Sequence, residues 1–198
     1  MKVNEIFYSL QGEGFHSGTP AVFIRFSGCN LHCLFCDTQH DNGVDMTEEE
    51  IVSKVGQFPA RMVVVTGGEP SLQLTASLVD KLHFVGKYVA VETNGTHPLP
   101  ENVDWITLSP KDAFVGPQAA PVLNRADELK VVFDGVNAPQ NYSQIDITHR
   151  FLQPCDHESD NADYYARNAG VIRSAIEYIK QHPHWRLSLQ IHKVLDIR

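Results

Sequence analysis

Short apolar runs recur along this 198-residue chain, and polar or glycine-containing residues follow most of them. Seven of these runs have the length and the β-branched or aromatic content that buried strands favour. They are residues 21–26, 62–65, 88–91, 105–108, 129–133, 150–153 and 186–190.

Helical patterns lie between several of the predicted strands. Thr47 and Glu50 have the spacing of a capping box ahead of an apolar segment, which predicts a helix beginning there. Residues 72–84 are amphipathic with a helical period, and residues 162–181 predict a longer helix.

Strands that alternate with helices imply parallel pairing through crossovers, and therefore an α/β fold. The connections 94–104 and 109–127 contain Pro and Gly and leave little room for helices. Because a complete eight-unit barrel typically takes about 250 residues, we expect residues 1–198 to form one domain, an open partial (β/α) barrel with some crossovers reduced to loops.

Polar clusters directly follow five of the predicted strands, at residues 27–36, 66–70, 92–95, 109–112 and 154–156. The carboxyl ends of parallel strands meet at one edge of such a fold and form its binding site. The five clusters therefore predict a pocket.

Composition narrows the class of ligand. A net charge of −8 argues against nucleic acid, whose binding needs a basic surface, and favours a small-molecule substrate. No apolar run approaches the roughly 18 residues that a membrane span needs. The first residues lack a signal-peptide core, so we expect a cytoplasmic protein.

Three of the four cysteines, Cys29, Cys33 and Cys36, have the spacing C-x3-C-x2-C. Iron–sulfur clusters are held by thiolates, and this spacing lets one loop bind three irons of a [4Fe–4S] cluster. The fourth iron would then be open to a small molecule. Zinc with a nearby His or Cys155 is the alternative, although its ligands usually come as separated pairs. Cys155 itself is either a fourth ligand or a buried thiol.

The cysteine spacing resembles the signature of radical S-adenosylmethionine enzymes, with Phe35 at the aromatic position before the last cysteine. The segment 66–70, TGGEP, resembles a second motif of that superfamily. The segments 5–14, 36–38, 92–95, 109–111 and 185–193, together with Arg25, are similar to the 7-carboxy-7-deazaguanine synthase family over nearly the whole chain.

This resemblance implies a radical S-adenosylmethionine barrel with a [4Fe–4S] cluster whose open iron binds the amine and carboxylate of S-adenosylmethionine. Reduction of the cluster would generate a 5′-deoxyadenosyl radical, so no side chain need act as the catalyst. The implied substrate is 6-carboxy-5,6,7,8-tetrahydropterin, converted by ring contraction with loss of ammonia into 7-carboxy-7-deazaguanine for queuosine-type 7-deazapurines. A flavodoxin or ferredoxin as electron donor and a homodimer are also implied.

By match to the family motifs, nine residues would contact the pterin: Leu10, Gln11, Gly12, Glu13, Arg25, Thr66, Glu92, His192 and Arg198. From the residues alone, Arg25 could equally be a surface ion pair and His192 a buried, hydrogen-bonded histidine. Arg198 departs from the usual ending of the family, which puts its contact in doubt.

The same matching implies which residues hold the cofactors. Those around S-adenosylmethionine would be Gly68, Glu69, Ser109, Pro110, Lys111, Gln153, Pro154, Cys155 and Asp156. Thr38 would contact a Mg²⁺, which needs further oxygens from substrate or water. A glycyl-radical-activating enzyme shares C-x3-C-x2-C, and a zinc-binding module without catalysis is the alternative from another class.

Overall fold

Nine strands form one sheet in the computed structural model, which describes residues 1–136, 138–156 and 163–198. The strands are β1 (Lys2–Leu10), β2 (Pro20–Phe26), β3 (Val44–Asp45), β4 (Met62–Gly67), β5 (Tyr88–Thr93), β6 (Trp105–Leu108), β7 (Arg125–Phe133), β8 (Asp146–Pro154) and β9 (Arg186–Leu187). Their order across the sheet is β3-β1-β2-β4-β5-β6-β7-β8-β9.

The sheet is parallel from β2 to β9, and β1 pairs antiparallel with both β2 and β3. Among the described residues β3 and β9 are its edges, so the barrel is open. The prediction of an α/β partial barrel is confirmed. Strand β1 was not predicted, because it exposes or half-exposes all but one of its side chains and gives a weak apolar signal.

Within the described residues, five helices accompany the sheet: α1 (Glu48–Val55), α2 (Ala76–Phe84), α3 (Asp112–Val115), α4 (Tyr164–Gln181) and α5 (Ile191–Leu195). The capping box before α1 is confirmed, since Thr47 Oγ1 accepts from Glu50 N–H at 3.2 Å and Glu50 Oε2 accepts from Thr47 N–H at 2.8 Å. No helix in the described ranges is long and apolar enough to cross a bilayer.

Two helix boundaries differ from prediction. The predicted helix 72–84 begins only at Ala76, because a 3-10 turn occupies Pro70–Leu72 and the side chain of Thr75 caps α2 through Leu78 N–H at 3.1 Å. The predicted helix 162–181 corresponds to α4 from Tyr164 onward, and residue 162 lies outside the described residues.

The predicted strand 186–190 was wrong beyond Leu187. Ser188 N–H still donates to Leu152 O at 3.0 Å, but Ser188 and Gln190 bury polar side chains that bond to groups inside the barrel. The chain then enters α5, which was not predicted. In the segment 109–127 the four-residue α3 and a 3-10 turn at Pro117–Ala119 form, as the Pro and Gly content indicated, and β7 already begins at Arg125.

The two faces of the strands bury different side chains. Alternate residues such as Val22, Ile24, Val63 and Val65 pack into the main core with α1 and α2. The other face of β2, β4 and β5 carries a small cluster of Ala21, Phe23, Met62, Val64 and Ala90. Because side chains alternate along a strand, the next residues on this inner face are Arg25, Thr66 and Glu92.

Candidate active site

A cavity of about 630 Å³ opens at the carboxyl ends of the parallel strands. All five polar clusters predicted from the sequence contribute to it. Of the residues proposed from the sequence as ligands or contacts, every one lines this cavity except Pro110, which is buried behind it.

The cysteines lie on the loop after β2, at one end of the cavity. Cys29 and Cys33 are partly buried and Cys36 is exposed. Burial raises the pKa of Cys29 and of Cys33. Three thiols on one loop, each close enough for its charge to act on another, are a donor set that fits an iron–sulfur cluster, whose binding would displace their protons.

Backbone packing holds the cysteine loop against the end of β4. Glu69 N–H donates to Gly28 O at 2.9 Å, and Gly68 N–H donates to Phe26 O at 3.1 Å. A Cβ on Gly68 would lie 2.0 Å from Gly28 O, so no larger residue fits without displacing backbone. Gly68 therefore allows the end of β4 to approach the cysteine loop closely, and this contact positions the cysteines.

The side chain of Glu69 connects three segments of the rim. It is 1% exposed and accepts from Thr93 Oγ1 at 2.6 Å, Asn94 N–H at 2.7 Å and Ser71 N–H at 2.9 Å. A carboxylate has about four acceptor positions, so one remains for a ligand. Glu69 thus fixes the ends of β4 and β5 as well as lining the cavity.

At the other end of the cavity, charged side chains face each other inside the barrel. Lys130 forms ion pairs with Glu13 and with Glu92, the latter at 3.5 Å. Gln11 Nε2 donates to Glu92 Oε1 at 3.0 Å, and Gln190 Nε2 donates to Glu13 Oε1 at 3.1 Å. Burial alone would raise the pKa of Glu13, but Lys130 outweighs it and brings the value to about 2.

A third group lies beside β1. Arg25 Nε donates to Glu5 Oε1 at 2.9 Å, and its Nη1 lies 3.3 Å from Thr38 Oγ1. Arg198 binds the other oxygen of Glu5, and both guanidinium groups lie over the ring of Phe7, at 6.0 and 5.1 Å. The Glu5 carboxylate therefore pairs with two guanidinium groups, so these three side chains together carry a net positive charge beside β1.

The predicted S-adenosylmethionine residues are bound to one another and to the tail. Lys111 Nζ donates to Ser109 O at 2.6 Å, and burial lowers the pKa of Lys111. Gln153 Oε1 accepts from Ser188 Oγ at 2.9 Å.

Lys193 joins the tail to the cysteine loop and to Asp156. Lys193 lies 2.8 Å from Asp156 Oδ2 and 2.6 Å from Asp37 Oδ2. Burial would raise the pKa of Asp156, yet Arg167 and its other donors keep that pKa well below its usual range.

His192 and Cys155 also lie at the cavity. A Cβ on Gly12 would lie 2.4 Å from His192 Nδ1, so the imidazole packs directly on the Gly12 backbone. Cys155 is 5% exposed, and burial raises the pKa of its thiol.

Several polar residues of the cavity were not assigned as contacts from the sequence, among them Glu5, Asp37, Lys130, Gln190 and Lys193. Lys130 did give a signal, because it stands between the apolar Leu129 and Val131 in a strand whose alternate residues face the core. Gln190 and Lys193 lie in the segment 185–193 that resembles the family, but the pattern of apolar residues did not place them at the cavity, since their positions depend on the turn after β9 and on α5.

Comparison with known proteins gives one consistent result. The family model of the radical SAM superfamily matches residues 23–120. A 7-carboxy-7-deazaguanine synthase of Bacteroides thetaiotaomicron is 52% identical over 198 residues, which cover 100% of this chain and 98% of that protein. The enzyme of the same name from Burkholderia multivorans is 41% identical, with 98% of each chain covered.

A solved structure agrees with these relatives. The crystal structure of QueE from Escherichia coli superimposes with a TM-score of 0.71 at 29% identity, covering 95% of this chain and 92% of that one. These relatives favour neither a glycyl-radical-activating enzyme nor a zinc-binding module.

Proposed function

The chain belongs to the 7-carboxy-7-deazaguanine synthase family of radical S-adenosylmethionine enzymes, and we propose that it performs the family's reaction in the cavity described above. It converts 6-carboxy-5,6,7,8-tetrahydropterin to 7-carboxy-7-deazaguanine and ammonia. The observation that supports this location is the meeting, in one cavity, of the three-cysteine loop with a carboxylate-lined barrel interior.

A [4Fe–4S] cluster and S-adenosylmethionine, when bound, supply the one-electron chemistry that removes a hydrogen atom from the substrate. Cys29, Cys33 and Cys36 would hold the cluster. Gly68 offers backbone that a ligand can approach closely, and Glu69 keeps one acceptor position for an ammonium group.

Residues around the adenosyl group would come from the ends of β6 and β8. Ser109, Lys111, Gln153, Pro154, Cys155 and Asp156 line the cavity there. Pro110 would contribute indirectly by shaping the turn between Ser109 and Lys111, since it is buried outside the cavity surface.

The pterin would occupy the interior end. Arg25 can pair with the substrate carboxylate through its guanidinium, with Arg198 adding charge from the tail. Glu13 and Glu92 can accept hydrogen bonds from ring and amino N–H groups, while Leu10, Gln11, Gly12, Thr66 and His192 complete the walls.

Thr38 would bind Mg²⁺ only together with the substrate. Its hydroxyl lies 3.3 Å from Arg25 Nη1, and this positive charge opposes a cation at the same place. A substrate carboxylate between the guanidinium and the cation would remove that repulsion and supply a hard oxygen ligand. We therefore expect Mg²⁺ to lower the KM for the pterin and to have no effect on S-adenosylmethionine binding alone.

The test is anaerobic reconstitution with iron and sulfide, followed by turnover with a reductant, S-adenosylmethionine, the pterin and Mg²⁺. The expected result is 7-carboxy-7-deazaguanine, with about four irons bound per chain, as one [4Fe–4S] cluster requires. Formation of 5′-deoxyadenosine without the deazaguanine would contradict the proposed reaction. A colourless protein that binds zinc and no iron would contradict the proposed iron–sulfur cluster.

Two further features of the family stay predictions for this chain. Sedimentation at several concentrations tests the homodimer, and reduction of the reconstituted cluster by flavodoxin or ferredoxin tests the electron donor.

A further inference from the structure

Lys130 is a buried lysine in the middle of β7. Its neighbours Leu129 and Val131 belong to the main core, so strand alternation directs Lys130 to the barrel interior. Its side chain is 6% exposed. A buried ammonium without partners costs several kcal/mol, so its partners determine whether it can stay charged.

Those partners are two cavity carboxylates from distant parts of the chain. Glu13 lies in the loop after β1, and Glu92 is at the end of β5. Both pair with Lys130 Nζ, and together with Glu128 they raise its pKa although burial acts to lower it. One ammonium group therefore sets the separation between the two carboxylates.

The other donors around this group leave acceptor positions unfilled. Glu13 accepts from Lys130 and Gln190, and Glu92 accepts from Lys130, Gln11 and Thr66. With about four acceptor positions on each carboxylate, the two together can still accept from N–H groups of a ligand. The carboxyl groups of Glu13, Glu92 and Glu128 outnumber the one ammonium group, and this excess of acceptors suits a ligand edge rich in donors.

We propose that Lys130 is a positioning residue that holds the Glu13 and Glu92 carboxylates at a fixed separation to bind the N–H groups of a fused-ring heterocycle. The inference rests on the proposed function, since it takes the substrate to bind at this end of the cavity. Lys130 acts through the two carboxylates, and it selects for ligands whose edge carries two or more N–H donors.

The test is Lys130→Met, which keeps the length of the side chain and removes its charge. Binding of 6-carboxy-5,6,7,8-tetrahydropterin is measured by anaerobic calorimetry on the reconstituted enzyme with S-adenosylmethionine and no reductant. We expect the pterin Kd to rise about tenfold or more, equal to about 1.4 kcal/mol. Iron content and the Kd of S-adenosylmethionine should stay unchanged. Lys130→Arg should recover part of the pterin affinity.

The pH dependence separates positioning from a merely structural role. Glu13 faces Lys130, Gln190 and His192, all of which lower its pKa, and Glu128 lies close to the same ammonium. Without Lys130, burial acts on Glu13 against fewer opposing groups, so the pKa of this carboxyl should rise above its native value of about 2. Pterin affinity of Lys130→Met should therefore increase more steeply with pH than that of the native enzyme.

Lys81→Met is the matched control. Lys81 also bridges two carboxylates, Glu48 and Glu49, but it lies on the surface between α1 and α2. Its loss should leave pterin affinity and its pH dependence unchanged.

Either of two results would overturn the role of Lys130: native pterin affinity in Lys130→Met, or an equal loss of S-adenosylmethionine affinity. If Lys130→Met does not fold, the double variant Lys130→Met with Glu13→Gln leaves Glu92 as the one carboxylate of the pair without its ammonium partner. It should bind pterin more weakly than Glu13→Gln alone, because Lys130 also positions Glu92, and equal affinity of the two would overturn the role. A native enzyme that makes no deazaguanine would instead contradict the proposed function itself.

Discussion

The two ends of the cavity are built in different ways. At the cysteine end, the three thiols belong to one eight-residue stretch of loop, and backbone contacts with Gly28, Gly68 and Glu69 hold that loop. At the interior end, Glu13, Glu92 and Lys130 come from three separate elements and meet through ion pairs between side chains.

The difference also extends to how firmly the side chains are held. Cys36 is exposed, and the hydrogen bonds of the Cys29 and Cys36 sulfurs are to backbone groups, at 3.4 and 3.7 Å. Lys130 and Glu13 are 6% and 13% exposed and are bound on several sides. We therefore expect the cysteine end to gain its final order on binding a cluster, whereas the interior end is already organised before any ligand arrives.

Cys33→Ala gives the largest expected effect at the cysteine end. We expect it to abolish cluster binding and product formation, because two thiols on this loop cannot hold three irons. The free energy of unfolding of the iron-free chain should change by less than about 1 kcal/mol, since Cys33 is only partly buried. Iron analysis and denaturant unfolding measure the two quantities. A variant that keeps both iron and activity would contradict the assignment.

Gly68→Ala should disturb the same end through backbone. The added Cβ would lie 2.0 Å from Gly28 O and 2.9 Å from Cys29 N, so the cysteine loop must move. We expect a loss of about 1–3 kcal/mol in stability and weaker S-adenosylmethionine binding by calorimetry.

Gly170→Ala in α4 is the matched control for that substitution. A Cβ there meets nothing within 4 Å, so the variant should be more stable by up to about 1 kcal/mol. Equal stability and equal S-adenosylmethionine affinity of the two alanine variants would contradict the role assigned to Gly68.

The sequence predicts the cysteine end well because its chemistry is local. The spacing of Cys29, Cys33 and Cys36 and the glycines of residues 66–70 lie within short segments, each directly after a strand. The parallel strands themselves are apolar on both faces, so their positions could be read to within a few residues.

The interior end could not be predicted in the same way. Lys130 and Glu13 are 117 residues apart, and their contact depends on how far the sheet curls before it stops. Gln190 reaches Glu13 only because the chain leaves β9 after Leu187 and turns inward, where the alternating pattern indicated a longer strand. Such contacts follow from register and turn geometry, which short-range patterns do not determine.

Glu128→Gln tests whether the interior end stores electrostatic strain that the cysteine end lacks. Glu128 is 2% exposed, and burial raises its pKa from 4.5 to about 7. Between these two pH values the folded chain holds a proton that the unfolded chain has released, so stability falls as pH rises through the window. Glu13, with its pKa lowered from 4.5 to about 2, acts in the opposite direction and only below pH 4.5.

Across the pH range between the unfolded and folded pKa values of Glu128, we expect the free energy of unfolding of the native chain to fall by about 1–3 kcal/mol. The free energy of unfolding of Glu128→Gln should change less with pH over the same range. The glutamine carbonyl can still accept from Phe15 N–H, which donates to Glu128 Oε2 at 2.9 Å. Chemical unfolding at a series of pH values measures the profile. The exposed Glu101→Gln variant is the control and should keep the native slope. Parallel profiles for Glu128→Gln and the native chain would show that the interior carries no such strain.

Arg198→Ala should give the smallest effect, because the tail arginine belongs to neither end. Its side chain is 68% exposed, and Glu5 would keep its pair with Arg25 after the substitution. Exposed ion pairs contribute about 0–1 kcal/mol, so the melting temperature should hardly change. The lost positive charge should still raise the KM for the carboxylated pterin about two- to fivefold at low ionic strength, with the difference disappearing in high salt as screening grows. A KM effect that persists in high salt would instead mean that Arg198 contacts the substrate directly, and would extend the organised interior end to the tail.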